Sequence, residues 1–152
     1  MYFKFLIIII IIHFLLQNIF CYTISNCAAL NSITNMTGNY FLISNIDCIG
    51  VNFNSIGSAS RPWMGFFDGG GHTISNLTVR PSSSPAGLFS CAKSATVQNV
   101  LFKDFSICSS YLDSGFLFGT ATGCTVTNVT LSSSGGVNSV VSNASGKKAK
   151  RG

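Results

Sequence analysis

The chain has 152 residues, of which 47% are hydrophobic and 9% are charged, and its formal net charge is +5. Four of its nine cations lie between Lys147 and Arg151, so the body of the chain is formally neutral. This excludes a nucleic-acid-binding face, which needs basic residues gathered on the domain. Glutamate is absent, and abundant Gly, Ser, Thr and Asn beside Phe, Ile, Val and Leu predict one all-β domain.

The N-terminal segment has the pattern of a secretory signal. Lys4 is followed by a largely apolar run of 12 residues, Phe5–Leu16. That length is too short to span a bilayer and suits the hydrophobic core of a signal peptide. We predict a signal peptide over residues 1–21 with cleavage after Cys21; cleavage after Ser25 and an uncleaved anchor are the alternatives.

A six-residue phrase, apolar-x-Asn-apolar-x-apolar, recurs in the body of the chain. Its asparagines are Asn45, Asn76, Asn99 and Asn128, which lie 31, 23 and 29 residues apart. In a strand the inward side chains fall at i, i+2 and i+4, but here the apolar residues fall at i, i+3 and i+5. One residue must therefore leave the β conformation, and Asn tolerates the left-handed region better than other non-glycine residues. Each phrase predicts two short strands joined by an asparagine corner.

Strand repeats of this length indicate a solenoid. We predict an all-β right-handed parallel β-helix of about four to five rungs over residues 22–141. A short helical cap is expected near its start, and a disordered basic tail at residues 142–152. The four asparagines should form one vertical column whose amides hydrogen-bond from rung to rung. The cap covers the first open edge, whereas the C-terminal edge has no recognisable cap.

The central phrase GFFDGGGHTISNLTV, with AGLFS and SGFLFGTATGCTVTNVTL after it, resembles the GLUG-type β-helix repeats of secreted adhesin-like proteins of bacteria and protist surface proteins. The resemblance runs from Asn26 to about Leu131. Gly70 departs from it, standing where the family usually has Asn, and Cys91 stands where a small residue is common. The resemblance implies a surface scaffold and an adhesive stalk rather than a catalyst.

The cysteines fit the secretory route. If Cys21 leaves with the signal, five remain: Cys27, Cys48, Cys91, Cys108 and Cys124. We predict a Cys27–Cys48 disulfide that ties the cap to the first rung, which leaves one of the other three free or paired between chains. No spacing of Cys or His indicates a zinc site.

Four N-glycosylation sequons are present, at Asn35, Asn76, Asn128 and Asn143. Asn76 and Asn128 hold the repeated corner position, where their amides should be engaged in the column. Asn35 and Asn143 fall in expected loops and are the glycosylation candidates.

Carboxylate chemistry is the test for an enzyme, because polysaccharide-cleaving β-helices need acidic groups clustered on one face. Aligning the phrases puts Thr78, Leu101 and Thr130 at the position of Asp47, so no second carboxylate stacks beside it. Two further candidates have structural interpretations: Asp68 as a turn residue and His72 as a corner residue. We therefore predict no catalytic residue, no metal site and no cofactor.

Single aromatic and threonine positions leave two further alternatives. Trp63, the one tryptophan, is expected in the core rather than as a surface platform for a sugar. Two Thr-x-Thr pairs, Thr120/Thr122 and Thr125/Thr127, would suit an ice-binding surface, but they do not recur on every rung.

The sequence thus predicts a secreted or cell-surface structural and adhesive β-helix without catalytic activity. A carbohydrate-binding or polysaccharide-degrading β-helix is the alternative, and an ice-binding protein is the third. The expected partners are extracellular glycans, surface proteins or a second copy bound at the open C-terminal edge. Nucleic acid is not expected, and membrane contact is expected only through secretion or an anchor outside this sequence.

Overall fold

The computed structural model describes residues 21–108, 114–132 and 141–144. The predicted signal peptide up to residue 20 and the predicted tail from residue 145 lie outside the described residues. The first three residues of that predicted tail belong instead to a strand that ends at Ala144.

The described residues form short strands and one five-residue helix. In chain order these elements are β1 (Cys21–Ile24), α1 (Cys27–Asn31), β2 (Asn39–Leu42), β3 (Ile46–Asp47), β4 (Asn52–Phe53), β5 (Phe66–Asp68), β6 (Thr73–Ser75), β7 (Thr78–Val79), β8 (Phe89–Lys93), β9 (Thr96–Lys103), β10 (Ser106–Ile107), β11 (Phe118–Thr122), β12 (Thr125–Ser132) and β13 (Val141–Ala144).

All strand pairs among the described residues are parallel, and they join successive turns of one coil. The first face contains β1, β2, β5 and the first halves of β9 and β12. The second face contains β3, β6 and the second halves of β9 and β12. A third face contains β4, β7 and β10, and a fourth contains β8, β11 and β13. The predicted parallel β-solenoid is confirmed.

The turns have nearly constant length. Asn39, Phe66, Thr96 and Thr125 occupy one register position, at intervals of 27, 30 and 29 residues. The chain therefore completes about three turns, with a partial turn at each end. The described residues thus complete fewer turns than the four to five rungs predicted, and β1 and β12 belong to the partial turns at the ends.

Left-handed residues turn the corners. Asn99 and Asn128, with φ of 53° and 51°, stand between the first and second faces. Asn76 and Asp104, with φ of 55° and 48°, stand between the second and third faces. Ser94, with φ of 50°, turns the chain from β8 into β9. Polar residues hold these positions because a left-handed backbone is costly for bulky or β-branched side chains.

The core consists of inward side chains stacked in columns from turn to turn. Six of them, each at most 4% exposed, are Tyr40, Phe67, Val97, Ile46, Ile74 and Phe102. Hydrophobic residues stack on one another because a parallel register repeats the inward positions at every level. This apolar interior supplies the main driving force for folding.

Trp63 lies fully inside this core and stacks on Phe89, with ring centroids 3.9 Å apart and an interplanar angle of 14°. The prediction that Trp63 is a core residue is confirmed. A Cβ atom on Gly65 would lie 2.7 Å from the indole Nε1, so glycine at this position is what lets the ring pack. The indole N–H has no hydrogen-bond partner among the described residues.

A cap closes the N-terminal end. The Asn26 side chain accepts a hydrogen bond from the Ala29 N–H at 2.8 Å and begins α1. The helix buries Cys27 and Leu30 against the first turn. Cys27 is bonded to Cys48, so both the predicted cap and the predicted disulfide are confirmed.

Inward side chains in the last described turn are less well covered. Val126 is 41% exposed, although Val97, one turn earlier at the same register position, is fully buried. Within the described ranges, no helix has the length and apolar character needed to cross a bilayer.

Candidate functional site

The polar side chains at the corners form the most organised chemistry on the surface of the solenoid. Asn128 Nδ2 donates to Asn99 Oδ1 at 3.1 Å, across one turn. Asn99 Nδ2 in turn donates to Asp68 Oδ1 at 3.2 Å, one further turn toward the N-terminus. The three residues make a ladder with a direction, because every amide N–H points toward the N-terminal end.

Asp68 ends this ladder as an acceptor with several donors. Its Oδ1 also accepts from the Gly70 N–H at 2.9 Å, and its Oδ2 accepts from Gln98 Nε2 at 2.8 Å. Burial by itself would raise the pKa of Asp68, but the Gly70 N–H and the side-chain amides of Gln98 and Asn99 lower this pKa by more. The carboxylate is therefore held ionised well into the acid range.

A second acid–amide pair lies at the next corner. Asn76 Nδ2 donates to Asp47 Oδ1 at 2.8 Å, and the Ile49 N–H donates to the same oxygen at 3.1 Å. The bond from Asn76, followed by that from Ile49, lowers the pKa of Asp47. Both carboxylates thus serve as acceptors for an amide one turn later.

The predicted single column of four asparagines is wrong. Only Asn99 and Asn128 share a corner and a direct hydrogen bond. Asn76 stands at the following corner, in register with Asp104. Asn45 precedes β3, and its Oδ1 accepts from the Thr73 N–H at 2.9 Å.

Corner length explains the error. In β9 and β12, the corner between the first and second faces consists of two residues, which in β9 are Asn99 and Val100. In the turn before β9, the same corner has four residues, between Asp68 and Thr73. Every later residue of that turn is therefore shifted in sequence relative to its partner in β9. The phrase that contains Asn76 therefore lies on a different part of the coil from the phrase that contains Asn99.

The aspartates of these pairs were not recognised in the sequence as partners of the amides. A signal for them exists, because each lies about one turn before the asparagine that it binds. The separation is 29 residues for Asp47 and Asn76, and 31 residues for Asp68 and Asn99. A search for Asp one repeat upstream of Asn would have found both.

In the described part of the chain, no second carboxylate stands beside Asp47 on its face of the solenoid. The register aligns Asp47 with Ser75, Lys103 and Ser132. The sequence alignment had instead matched Asp47 with Thr78, Leu101 and Thr130, and this match is wrong. Neither the predicted nor the observed alignment places a carboxylate at the position of Asp47 in a later turn. Among residues 21–108, 114–132 and 141–144, no group of three or more His, Cys, Asp or Glu side chains is placed to hold a metal ion.

The other singled-out residues are spread over the molecule. His72 is half-buried in the turn before β6, and its N–H donates to the Gly69 carbonyl at 2.8 Å. The Thr-x-Thr pairs fall on different sheets, since Thr120 lies in β11 whereas Thr125 and Thr127 lie in β12. Four cysteines of the described residues are free thiols: Cys91 in the core, Cys21 and Cys108 at the surface, and Cys124 between these extremes.

The sequons differ in how their amides are used. Asn35 lies in a turn, where its Oδ1 accepts from both the N–H and the hydroxyl of Thr37 at 3.1 Å. The Nδ2 groups of Asn76 and Asn128 are bound to Asp47 and Asn99. Asn143 lies in β13, so the expectation of a loop there is wrong.

A small cavity of about 150 Å³ lies beside the cap, between α1 and the first strands. Tyr22, 37% exposed, stacks on Tyr40 at its edge, with ring centroids 4.9 Å apart. Asn35 Nδ2 donates to the Tyr22 hydroxyl at 3.3 Å. The remaining lining residues are Thr23, Ile24, Ala29, Ser32 and Thr34.

Comparison with known proteins gives one similarity of note. The chain is 35% identical over 127 residues to Halomucin from Haloquadratum walsbyi; the match covers 73% of this chain and 1% of Halomucin. No family model matches, so the resemblance to GLUG-type repeats stays a prediction. No solved structure matches either. The similarity and the β-solenoid fold are compatible with a structural surface protein.

Proposed function

We propose that this chain is a secreted or cell-surface structural and adhesive β-solenoid that acts without catalysis. The observation that carries the proposal is the use of its carboxylates. Asp47 and Asp68 accept hydrogen bonds from amides one turn away, and these bonds lower the pKa of both groups. A general acid needs a pKa near the working pH, whereas these side chains stay ionised and join successive turns together.

Secretion is supported by two independent features. Residues 1–21 have the signal-peptide pattern, and the disulfide between Cys27 and Cys48 is of the kind that persists in oxidising compartments. The match to a short segment of Halomucin agrees with a role at the cell surface. The chain spans 1% of Halomucin, so a function shared with the whole of that protein remains part of the proposal.

The test of secretion is expression of the full 152-residue chain in a eukaryotic secretory host. We expect the protein in the medium, with Cys27 and Cys48 joined in non-reducing peptide mapping. A matched chain that starts at Tyr22 should stay in the cells. Retention of both chains in the cell lysate would contradict the proposed localisation.

Adhesion and catalysis are separated in a second experiment. Beads that carry the purified protein are passed over surfaces coated with different extracellular polysaccharides, and beads that carry the unfolded, reduced protein are the control. We expect retention of the folded protein without release of reducing ends from the polysaccharide. Release of reducing ends would overturn the non-catalytic assignment, and equal retention of both bead types would overturn the adhesive one.

Carbohydrate binding is the second candidate, and the cavity beside the cap favours it. Exposed tyrosine rings bind sugar faces, and the cavity adds hydrogen-bonding groups from Asn35 and Thr34. The Tyr22→Ala variant should abolish retention on the polysaccharide that retains the native protein, if this site carries binding. The Phe41→Ala variant, which alters an aromatic side chain of the neighbouring strand, is the control.

A further inference from the structure

The sequon at Asn35 is held by bonds between near neighbours in the sequence. Asn35 Oδ1 accepts from both the N–H and the hydroxyl of Thr37 at 3.1 Å. The Gly38 N–H donates to the Asn35 carbonyl at 3.3 Å and closes the turn. Asn35 is half-buried and Thr37 is exposed, so the turn presents this sequon at the surface.

The sequon at Asn76 uses the same groups differently. Its Nδ2 donates to Asp47 Oδ1 at 2.8 Å, and the hydroxyl of Thr78 contacts the Ser106 hydroxyl at 3.2 Å. Both polar groups of this sequon are therefore committed to bonds between successive turns of the coil. At Asn35 the threonine hydroxyl bonds to the asparagine itself, which leaves the sequon independent of the turn-to-turn bonds.

The amide nitrogen of Asn35 lies at the cavity beside the cap. Asn35 and Tyr22 both line this cavity, and Nδ2 donates to the Tyr22 hydroxyl at 3.3 Å, a long hydrogen bond. One face of the Tyr22 ring stacks on Tyr40, and the ring residue is still 37% exposed. Pockets for small ligands combine aromatic walls with a few polar groups, and a sugar ring has both an apolar face and polar edges.

The backbone around Asn35 is fixed on both sides. The Tyr40 hydroxyl donates to the Asn35 carbonyl at 3.0 Å, which ties the turn to β2. Arg61 Nη2 donates to the Thr34 carbonyl at 2.9 Å, which ties the preceding residue to a later loop. A group attached to Asn35 thus starts from a fixed point beside the Tyr22 ring, and such preorganisation lowers the entropic cost of packing it there.

We propose that Asn35 carries an N-linked glycan whose first sugar packs on the Tyr22 ring and fills the cavity beside the cap. N-glycosylation takes place in the secretory pathway, so the site depends on the proposed secretion of the chain. The cavity then holds a sugar of the chain itself, in place of the free carbohydrate of the second candidate function. The sugar joins the turn at Asn35 to β1 and stabilises the capped end.

The sugar donor is a lipid-linked oligosaccharide pyrophosphate, and the transferase of the host's secretory pathway catalyses the reaction. A bond forms between Nδ2 of Asn35 and the anomeric carbon of the first sugar. One N–H bond of the amide breaks, and so does the bond from the anomeric carbon to the pyrophosphate oxygen. The proton and the lipid pyrophosphate leave, and the modified amide keeps one N–H.

Glycopeptide mapping of protein from the medium of a eukaryotic secretory host tests the attachment. The full 152-residue chain is compared with residues 22–152 behind a signal peptide of the host. We expect sugar on Asn35 and none on Asn76 or Asn128, whose amide nitrogens are bound within the solenoid. Absence of the full chain alone from the medium contradicts the proposed secretion, whereas an unmodified Asn35 in the chain with the host signal overturns the glycan.

Two matched variants locate the sugar, in an Asn143→Gln background that removes the other candidate sequon. Thr37→Val and Thr78→Val each remove the hydroxyl that one sequon requires. Thr37→Val should abolish the shift in electrophoretic mobility that peptide N-glycosidase reverses, and Thr78→Val should leave this shift unchanged. A shift that survives Thr37→Val, or that is lost only in Thr78→Val, contradicts the assignment to Asn35.

A further measurement tests the packing of the first sugar in the same background. Endoglycosidase H trims a high-mannose glycan to its first sugar, and protein from tunicamycin-treated cells has the same sequence without sugar. We expect a higher urea midpoint for the trimmed protein. This gain should be lost in Tyr22→Ala and kept in Phe41→Ala, the control on the neighbouring strand.

Nuclear Overhauser contacts give a readout that does not depend on a variant. Protons of the first sugar should show such contacts with the ring protons of Tyr22 in the trimmed protein. Absence of these contacts, or an equal gain in midpoint for the native and Tyr22→Ala proteins, would mean that the sugar points into solvent and would overturn its place in the cavity.

Discussion

Asn99 combines two properties that few residues can supply together. Its φ of 53° lies in the left-handed region, and its side chain donates to Asp68 while it accepts from Asn128. Glycine would fit the backbone but has no amide, and most other side chains would raise the cost of the backbone conformation. The ladder therefore exists because the corner selects the same residue at successive levels.

Substitution of Asn99 separates these two properties. Asn99→Gly keeps the left-handed corner and loses the hydrogen bonds, whereas Asn99→Ala loses both. We expect the free energy of unfolding of the alanine variant to fall about 1 kcal/mol below that of the glycine variant, measured by urea denaturation. Gln98→Ala, which removes a bond to Asp68 from an extended residue, is the control. Equal loss for glycine and alanine would mean that the corner conformation carries no cost.

Asp68 predicts a dependence of stability on pH. Its pKa is lowered on folding, so its contribution is complete above the unfolded pKa of about 4 and is lost as the pH falls through the lower folded pKa. We expect Asp68→Asn to reduce the free energy of unfolding by about 1 kcal/mol at pH 7, because a partly solvated carboxylate gains only a modest amount from its bonds.

The measurement is the urea midpoint of the native protein and of Asp68→Asn at neutral and at strongly acidic pH. The difference between the two proteins should shrink as the pH is lowered below about 4. Asp104→Asn, at the other type of corner, is the control for removing a carboxylate. A difference that is constant with pH would show that the side-chain shape, not its charge, matters.

At the scale of elements, corners decide what the sequence can predict. The apolar-x-Asn-apolar-x-apolar phrase predicted strand–corner–strand units, and β9 and β12 are such units. The same phrase around Asn76 also has a left-handed asparagine, but it joins β6 to β7 at the next corner. The pattern fixes local conformation, whereas the face on which a unit lies depends on the accumulated length of all preceding corners. The repeated phrase does not include the four-residue corner between β5 and β6, so it could not predict the length of that corner.

The cap gives a prediction at the same scale. The disulfide closes a segment with a sequence separation of 21 residues, so its loss should lower the free energy of unfolding by about 3 kcal/mol. We expect this loss for the Cys27→Ala/Cys48→Ala variant in urea denaturation without reductant. Cys108→Ser, which changes an exposed thiol, should unfold like the native protein. A variant as stable as the native protein would show that the cap is held by α1 packing alone.

At the scale of the whole molecule, the described solenoid has a helix packed at its N-terminal end and a partly exposed last turn. The sequence predicted the N-terminal cap from the helical segment at Cys27, and the structure confirms it. The sequence could not predict the polarity of the amide ladder, because that depends on which asparagine oxygen meets which amide across a turn.

The N-terminal strand β1 leads to a prediction about the site of signal-peptide cleavage. Strand β1 pairs with β2, and its Ile24 is 1% exposed in the core. Cleavage after Ser25 would remove this strand, and burial of Ile24 alone contributes about 2 kcal/mol. We therefore expect the mature chain to start at Tyr22, as N-terminal sequencing of protein from the medium would show.

Two purified chains test whether β1 stabilises the solenoid. A chain that starts at Tyr22 should unfold at a higher urea concentration than one that starts at Asn26, because only the first retains residues 22–24 of β1 and the ring contact between Tyr22 and Tyr40. Equal midpoints, or a secreted protein that begins at Asn26, would mean that β1 adds nothing to the solenoid. The first coil would then begin at β2, and α1 alone would have to cover the edge that β1 now pairs.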